Sequence, residues 1–125
     1  MIKNLLLVGL GGAVGSMLRY LTSALINKYC TSLFPWATFT INMLGCLLIG
    51  FLVALAEKQP WAGDGFKYLF ITGFCGGYTT FSAFANENFG LFNGGHTVTA
   101  LLYIMGSVVC GLLAVGAGLL LGRWV

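Results

Sequence analysis

The fold turns on the stretch Gly73-Phe74-Cys75-Gly76-Gly77-Tyr78-Thr79-Thr80-Phe81-Ser82-Ala83-Phe84. It lies inside an apolar run from about Phe66 to Phe92, long enough to cross a bilayer. Three glycines and two threonines at that depth weaken a helix, glycine through backbone freedom and threonine through its β-branch. Two readings follow. One is a broken helix, whose unwound backbone must be buried in protein or face a cavity; the other is a flexible but continuous helix packed on a neighbour. A break would free carbonyls suited to a hard cation, and the half-helix after it would favour negative charge at its N-terminus.

Outward from this stretch the chain repeats the same apolar character. Runs extend from about Leu5 to Ile26, Trp36 to Ala56 and Thr97 to Leu121, giving four spans with the run just described as the third. Pro35 precedes the second span, Pro60 and Gly63-Asp64-Gly65 follow it, and Asn93-Gly94-Gly95 divides the third from the fourth. The 125 residues are 58% hydrophobic and only 7% charged, too little polar surface to cover a soluble globule. A single four-span transmembrane domain over residues 1–125 is expected, all-α, with the bilayer as its solvent. Lys3 before the first run superficially resembles a signal peptide, but Gly11-Gly12 interrupts that run and three more follow, so a retained span is expected.

Six basic residues against three acidic give a net charge of +3. Lys3, Lys58, Lys67 and Arg123 stand at span ends, where snorkelling to headgroups is the ordinary role, and they form no nucleic-acid patch. Their distribution favours cytoplasmic termini by a modest margin. Trp36, Trp61, Tyr68 and Trp124 sit near span ends as an aromatic belt would. Cys30, Cys46, Cys75 and Cys110 include no C-x-x-C pair and read as small hydrophobes. Gly11-x-x-x-Gly15, Ser107-x-x-x-Gly111 and Ala114-x-x-x-Gly118-x-x-x-Gly122 have the spacing of close helix contacts. Four short helices hardly enclose a pathway alone, so an oligomer is expected.

Polar side chains inside spans are expensive unless they face a partner or a wet path. Thr38, Asn42, Gly45 and Cys46 share one face of the second span. Tyr103 and Ser107 share a face of the fourth, and Phe81, Phe84 and Glu87 recur every three residues in the third. Phe81 and Phe84 stand among hydroxyls and a carboxylate, and an aromatic edge can face an anion without a buried cation. Arg19 and Glu87 are charges inside or near the hydrocarbon; each reads as a pathway residue or an interfacial one, and they are candidates to pair with each other. The only histidine, His96, falls in a loop, so no catalytic constellation is assembled. An enzyme is not expected.

Gly11-Gly12-Ala13-Val14-Gly15 through Arg19-Tyr20, Asn42-Met43-Leu44-Gly45 and above all Gly73 to Phe84 resemble the Fluc (CrcB) fluoride channel family along essentially the whole chain. The resemblance implies a dual-topology, antiparallel homodimer in the cell's inner (plasma) membrane, with two fluoride pores and a central structural Na⁺. It implies backbone carbonyls of Gly76 and Thr79 as Na⁺ ligands, Phe81 and Phe84 as pore rings and Asn42 as the pore asparagine. Tyr103 and Ser107, with Thr80 nearby, would lie on a polar track, Arg19 at the aqueous vestibule and Glu87 near one end. Gly111 stands where some members carry a further hydroxyl. The expected function is passive fluoride export. The alternative is a small dual-topology, proton-coupled multidrug exporter, which wants an acidic residue deep in the first span where this chain has Arg19. A third reading is a non-transporting assembly subunit.

Overall fold

A computed structural model describes residues 1–125 as helices joined by short connections. Helix α1 is Ile2–Tyr29 and α2 is Trp36–Lys58. A turn at Asp64–Phe66, a π-helix at Lys67–Cys75 and a further turn at Gly76–Tyr78 run on as one rod, α3 (64–78). Phe81–Asn93 forms α4 and Thr97–Trp124 forms α5. At about 1.5 Å per residue, α1, α2 and α5 exceed the roughly 30 Å of a hydrocarbon core. All three are apolar enough to cross a membrane. The fourth crossing is made in two pieces, α3 and α4.

The break falls at Thr79 and Thr80, with φ, ψ of −80°, 160° and −149°, 117°. The glycines before it stay helical. Gly73 and Gly77 provide close approach to α1, together with Gly11, Gly12 and Gly15 on the facing helix. A Cβ at Gly11 would overlap the Leu69 carbonyl oxygen, and one at Gly15 that of Phe74; a Cβ at Gly77 would lie 2.5 Å from the Gly12 carbonyl oxygen. So α1 and α3 lie backbone to backbone, with residue numbers rising together along both helices. The same holds for α2 and α5, where Gly50 meets Val115 and Leu119, Gly118 meets Leu47 and Phe51, and Gly122 meets Ala54 and Phe51. At the far end Lys58 Nζ donates to the Arg123 carbonyl at 3.0 Å. The molecule is therefore two parallel helix pairs, each joined by the small residues that its sequence spacing marked out.

Only 20 of the 125 residues are buried, and large apolar side chains such as Leu6, Leu21, Met105, Leu112 and Leu113 stand more than half exposed. In water that surface would drive aggregation; in a bilayer it meets acyl chains. The buried polar residues are Thr38 and Asn88. A tight cluster of Leu91, Ala100 and Tyr103, edged by Phe34, Phe39 and Phe84, closes the α4–α5 end.

Candidate ion pathway at the helix break

Two extended residues at membrane depth must find partners for their backbone, and most of these come from one side chain on α2. Asn42 Oδ1 accepts from the Thr80 N–H at 2.9 Å, and Asn42 Nδ2 donates to the Thr80 carbonyl at 3.1 Å. Thr80 then caps α4: its Oγ1 accepts from the Ala83 N–H at 3.2 Å, ordinary N-cap geometry for threonine. The side of the break nearer α3 is tied by Thr79, whose N–H and Oγ1 both donate to the Cys75 carbonyl at 3.0 and 2.9 Å. Arg19 reaches in from α1, its Nε donating to the Gly77 carbonyl at 3.2 Å.

The pattern has a specific result. In a continuous helix the Thr80 N–H would donate to the Gly76 carbonyl and the Ala83 N–H to the Thr79 carbonyl. Both donors are diverted, to Asn42 Oδ1 and Thr80 Oγ1, while Arg19 covers Gly77 between them. Gly76 and Thr79 are thus released from the helical ladder, on a stretch that lines an open groove.

That groove has a volume of about 550 Å³ and is walled by Asn42, Gly76, Thr79, Phe81, Phe84 and Ser107 together with apolar neighbours. Phe81 is 78% exposed within a single chain, its ring centroid 5.7 Å from that of Phe84. Ser107 lines the groove, and its Oγ is buried in the single chain without a hydrogen-bond partner. At the α4 end Glu87 is held by two hydroxyls: Thr38 Oγ1 donates to Oε2 at 2.7 Å and Tyr103 Oη to Oε1 at 2.9 Å. The Tyr103 ring meets Phe84 edge-on at 4.9 Å.

The structure therefore brings Asn42, Thr80, Phe81, Phe84 and Ser107 onto one groove, with Gly76 and Thr79 beside them. Tyr103 and Glu87 form a second station joined to the first through Phe84. Arg19 and Glu87 do not pair; the guanidinium belongs to the Gly77 carbonyl and the carboxylate to Thr38 and Tyr103, which serve opposite sides of the break. Sequence reasoning passed over Thr38 as a partner of Glu87, although its place on the Asn42 face was visible. It also missed the bond of 3.1 Å between Thr22 Oγ1 and Tyr78 Oη, which ties α1 to the end of α3.

Helices of membrane-spanning length, a crossing interrupted at mid-depth and a groove of aromatic edges, an amide and hydroxyls define a multi-pass membrane protein with the makings of an ion pathway. The family described as CrcB-like protein, Camphor Resistance (CrcB), matches residues 6–119, and the chain belongs to it. Among its relatives, the fluoride-specific ion channel FluC of Flavobacterium psychrophilum is 49% identical over 121 residues, covering 97% of this chain and 98% of the relative. The protein of the same name from Azobacteroides pseudotrichonymphae is 47% identical over 121 residues, 97% of either chain. That of Phocaeicola vulgatus is 44% identical over 123 residues, 98% of either chain.

Proposed function

We propose that this protein is a passive, fluoride-selective channel that lets fluoride leave the cell and keeps its cytoplasmic concentration low. The observation that carries the reading is the groove beside the break, where Asn42, Ser107 and the Phe81–Phe84 edges line one wall without a buried cation side chain among them. Moving a bare anion into a low-dielectric medium costs tens of kcal/mol by Born estimates, so a pathway must replace water with donors. The Asn42 amide, the Ser107 hydroxyl and the positive edges of the two rings are such groups. A narrow track of weak, successive sites admits a small anion and lets it leave again. The identity of the anion follows the name borne by the relatives.

A single chain leaves this wall open, so we infer that a second copy completes it, as an antiparallel homodimer in the inner membrane. The released Gly76 and Thr79 carbonyls, two from each copy, are a donor set of the kind that binds Na⁺. When bound there, Na⁺ would supply a fixed positive charge at the break. The chain's own part is to leave those carbonyls without helical partners, through Asn42 and Thr80. At the end of the track the Glu87 carboxylate accepts the hydroxyl hydrogen bonds of Thr38 and Tyr103, which holds its charge in place beside the path.

Replacing Phe81 or Phe84 by isoleucine keeps apolar bulk and removes the ring edge. Initial fluoride efflux from proteoliposomes is expected to fall at least about tenfold for either, the size of roughly 1.4 kcal/mol at one site. The dimer should elute unchanged on size exclusion. Wild-type flux in both variants would remove the rings from the pathway.

A further inference from the structure

The connection between α1 and α2 runs from Cys30 to Pro35, and Cys30, Thr31, Ser32 and Leu33 are all exposed. Its polar contacts are local: the Phe34 N–H donates to Ser32 Oγ at 3.3 Å and the Trp36 N–H to the Phe34 carbonyl at 2.9 Å. What ties it to the rest of the molecule is the Phe34 ring. That ring meets Tyr103 edge-on, centroids 5.1 Å apart at 68°, and also Phe39 at 5.7 Å and Trp36 at 4.5 Å.

Tyr103 is fully buried and receives two such edge contacts, from Phe34 and, at 4.9 Å and 65°, from Phe84. A phenol held by its ring has its hydroxyl placed for it, and the Tyr103 hydroxyl spends its hydrogen bond on Glu87 Oε1. Trp36, Phe34, Tyr103, Phe84 and Phe81 form an unbroken run of rings, each 4.5 to 5.7 Å from the next. The run leads from the start of α2 to the helix break.

We propose that Phe34 is a positioning residue of the anion pathway. Its ring fixes Tyr103 so that the hydroxyl stays on Glu87, and it closes the Glu87 end of the track with a loop whose hydrogen bonds are all local. The inference rests on the channel reading above and adds to it a residue from outside the membrane spans. A ring that served only to anchor the loop would affect the yield of folded protein and leave conduction per channel untouched.

The test is a double-mutant cycle on fluoride efflux, with rates expressed per active liposome so that yield drops out. Phe34→Leu keeps an apolar side chain and removes the edge contacts; it is expected to lower the rate about three- to tenfold, the scale of one or two aromatic contacts. Phe34→Tyr restores a ring and is expected to recover most of that loss. Tyr103→Phe removes the hydroxyl, and in that background Phe34→Leu is expected to add nothing, because the bond it acts through is already gone. Leu33→Ala, on the same loop and 52% exposed, is the control and should conduct as wild type. Should the leucine variant not fold, Phe34→Met serves in its place. Wild-type flux in the leucine or methionine variant, or losses that multiply with Tyr103→Phe, would overturn the role. A wild-type protein that fails to conduct fluoride would instead overturn the channel reading beneath it.

Discussion

Asn42→Leu is expected to abolish most fluoride conduction while leaving the four helical crossings in place. The amide makes both hydrogen bonds that hold Thr80 in extended conformation, and leucine makes neither. The Thr80 N–H and carbonyl would then be unpaired in a low-dielectric interior, at about 1–3 kcal/mol each. Relieving that cost means winding Thr80 back into a helix, which returns its N–H to the Gly76 carbonyl and withdraws that oxygen from the groove. Two such groups put on the order of 2–6 kcal/mol against the open geometry, so flux should fall by roughly 30-fold or more. Any stabilisation by Na⁺, read as the melting temperature in Na⁺ against Na⁺-free solution, should shrink with it. Asn42→Asp separates the two bonds: the carboxylate still accepts from the Thr80 N–H but no longer donates to its carbonyl, and it puts a negative charge beside an anion path. It is expected to conduct as poorly as leucine. Near-wild-type flux in either variant would contradict the placement of Asn42.

Gly118→Val should have the largest effect on the fold itself. A Cβ there would overlap the Leu47 carbonyl oxygen and lie 2.8 Å from the Phe51 nitrogen, and both are backbone atoms that no rotamer can move. The α2 and α5 helices would have to separate, losing the contacts at Gly50 and Gly122 as well. Overpacking of this kind costs about 1–3 kcal/mol even where side chains can yield, and here they cannot. The expected result is little or no monodisperse protein in detergent. Gly116→Ala, two residues away with nothing within 4 Å of its Cβ, should behave as wild type. A monodisperse, conducting Gly118→Val protein would contradict the parallel α2–α5 contact.

The crossings and the glycine contact faces were legible because both depend on local pattern: apolar length for the first, small residues at four-residue spacing for the second. The break was legible in kind but not in place. Glycine's weak helix propensity drew attention to Gly73, Gly76 and Gly77, yet all three remain helical; Gly73 packs on Gly11 and Gly77 on Gly12 backbone to backbone, which offsets the lost propensity at those two, while Gly76 has open space where a Cβ would stand. The interruption falls at Thr79-Thr80, where an amide 38 residues earlier competes for the backbone. No local rule reports such a partner. Arg19 follows the same logic across 58 residues: its charge marked it as unusual, but only the fold assigns it to the Gly77 carbonyl rather than to Glu87. Phe34 was invisible for the opposite reason, being one phenylalanine among ten until the loop laid it on Tyr103.

The most direct measurement of the central claim is anion efflux from liposomes of purified wild-type protein, loaded in turn with fluoride and chloride at equal concentration and neutral pH, with Na⁺ on both sides. Rapid fluoride efflux that follows its own gradient without an imposed proton gradient is expected, with chloride efflux no faster than from protein-free liposomes. Fluoride efflux indistinguishable from the protein-free rate, with folded protein confirmed in the same vesicles, would contradict it; so would chloride leaving as fast as fluoride.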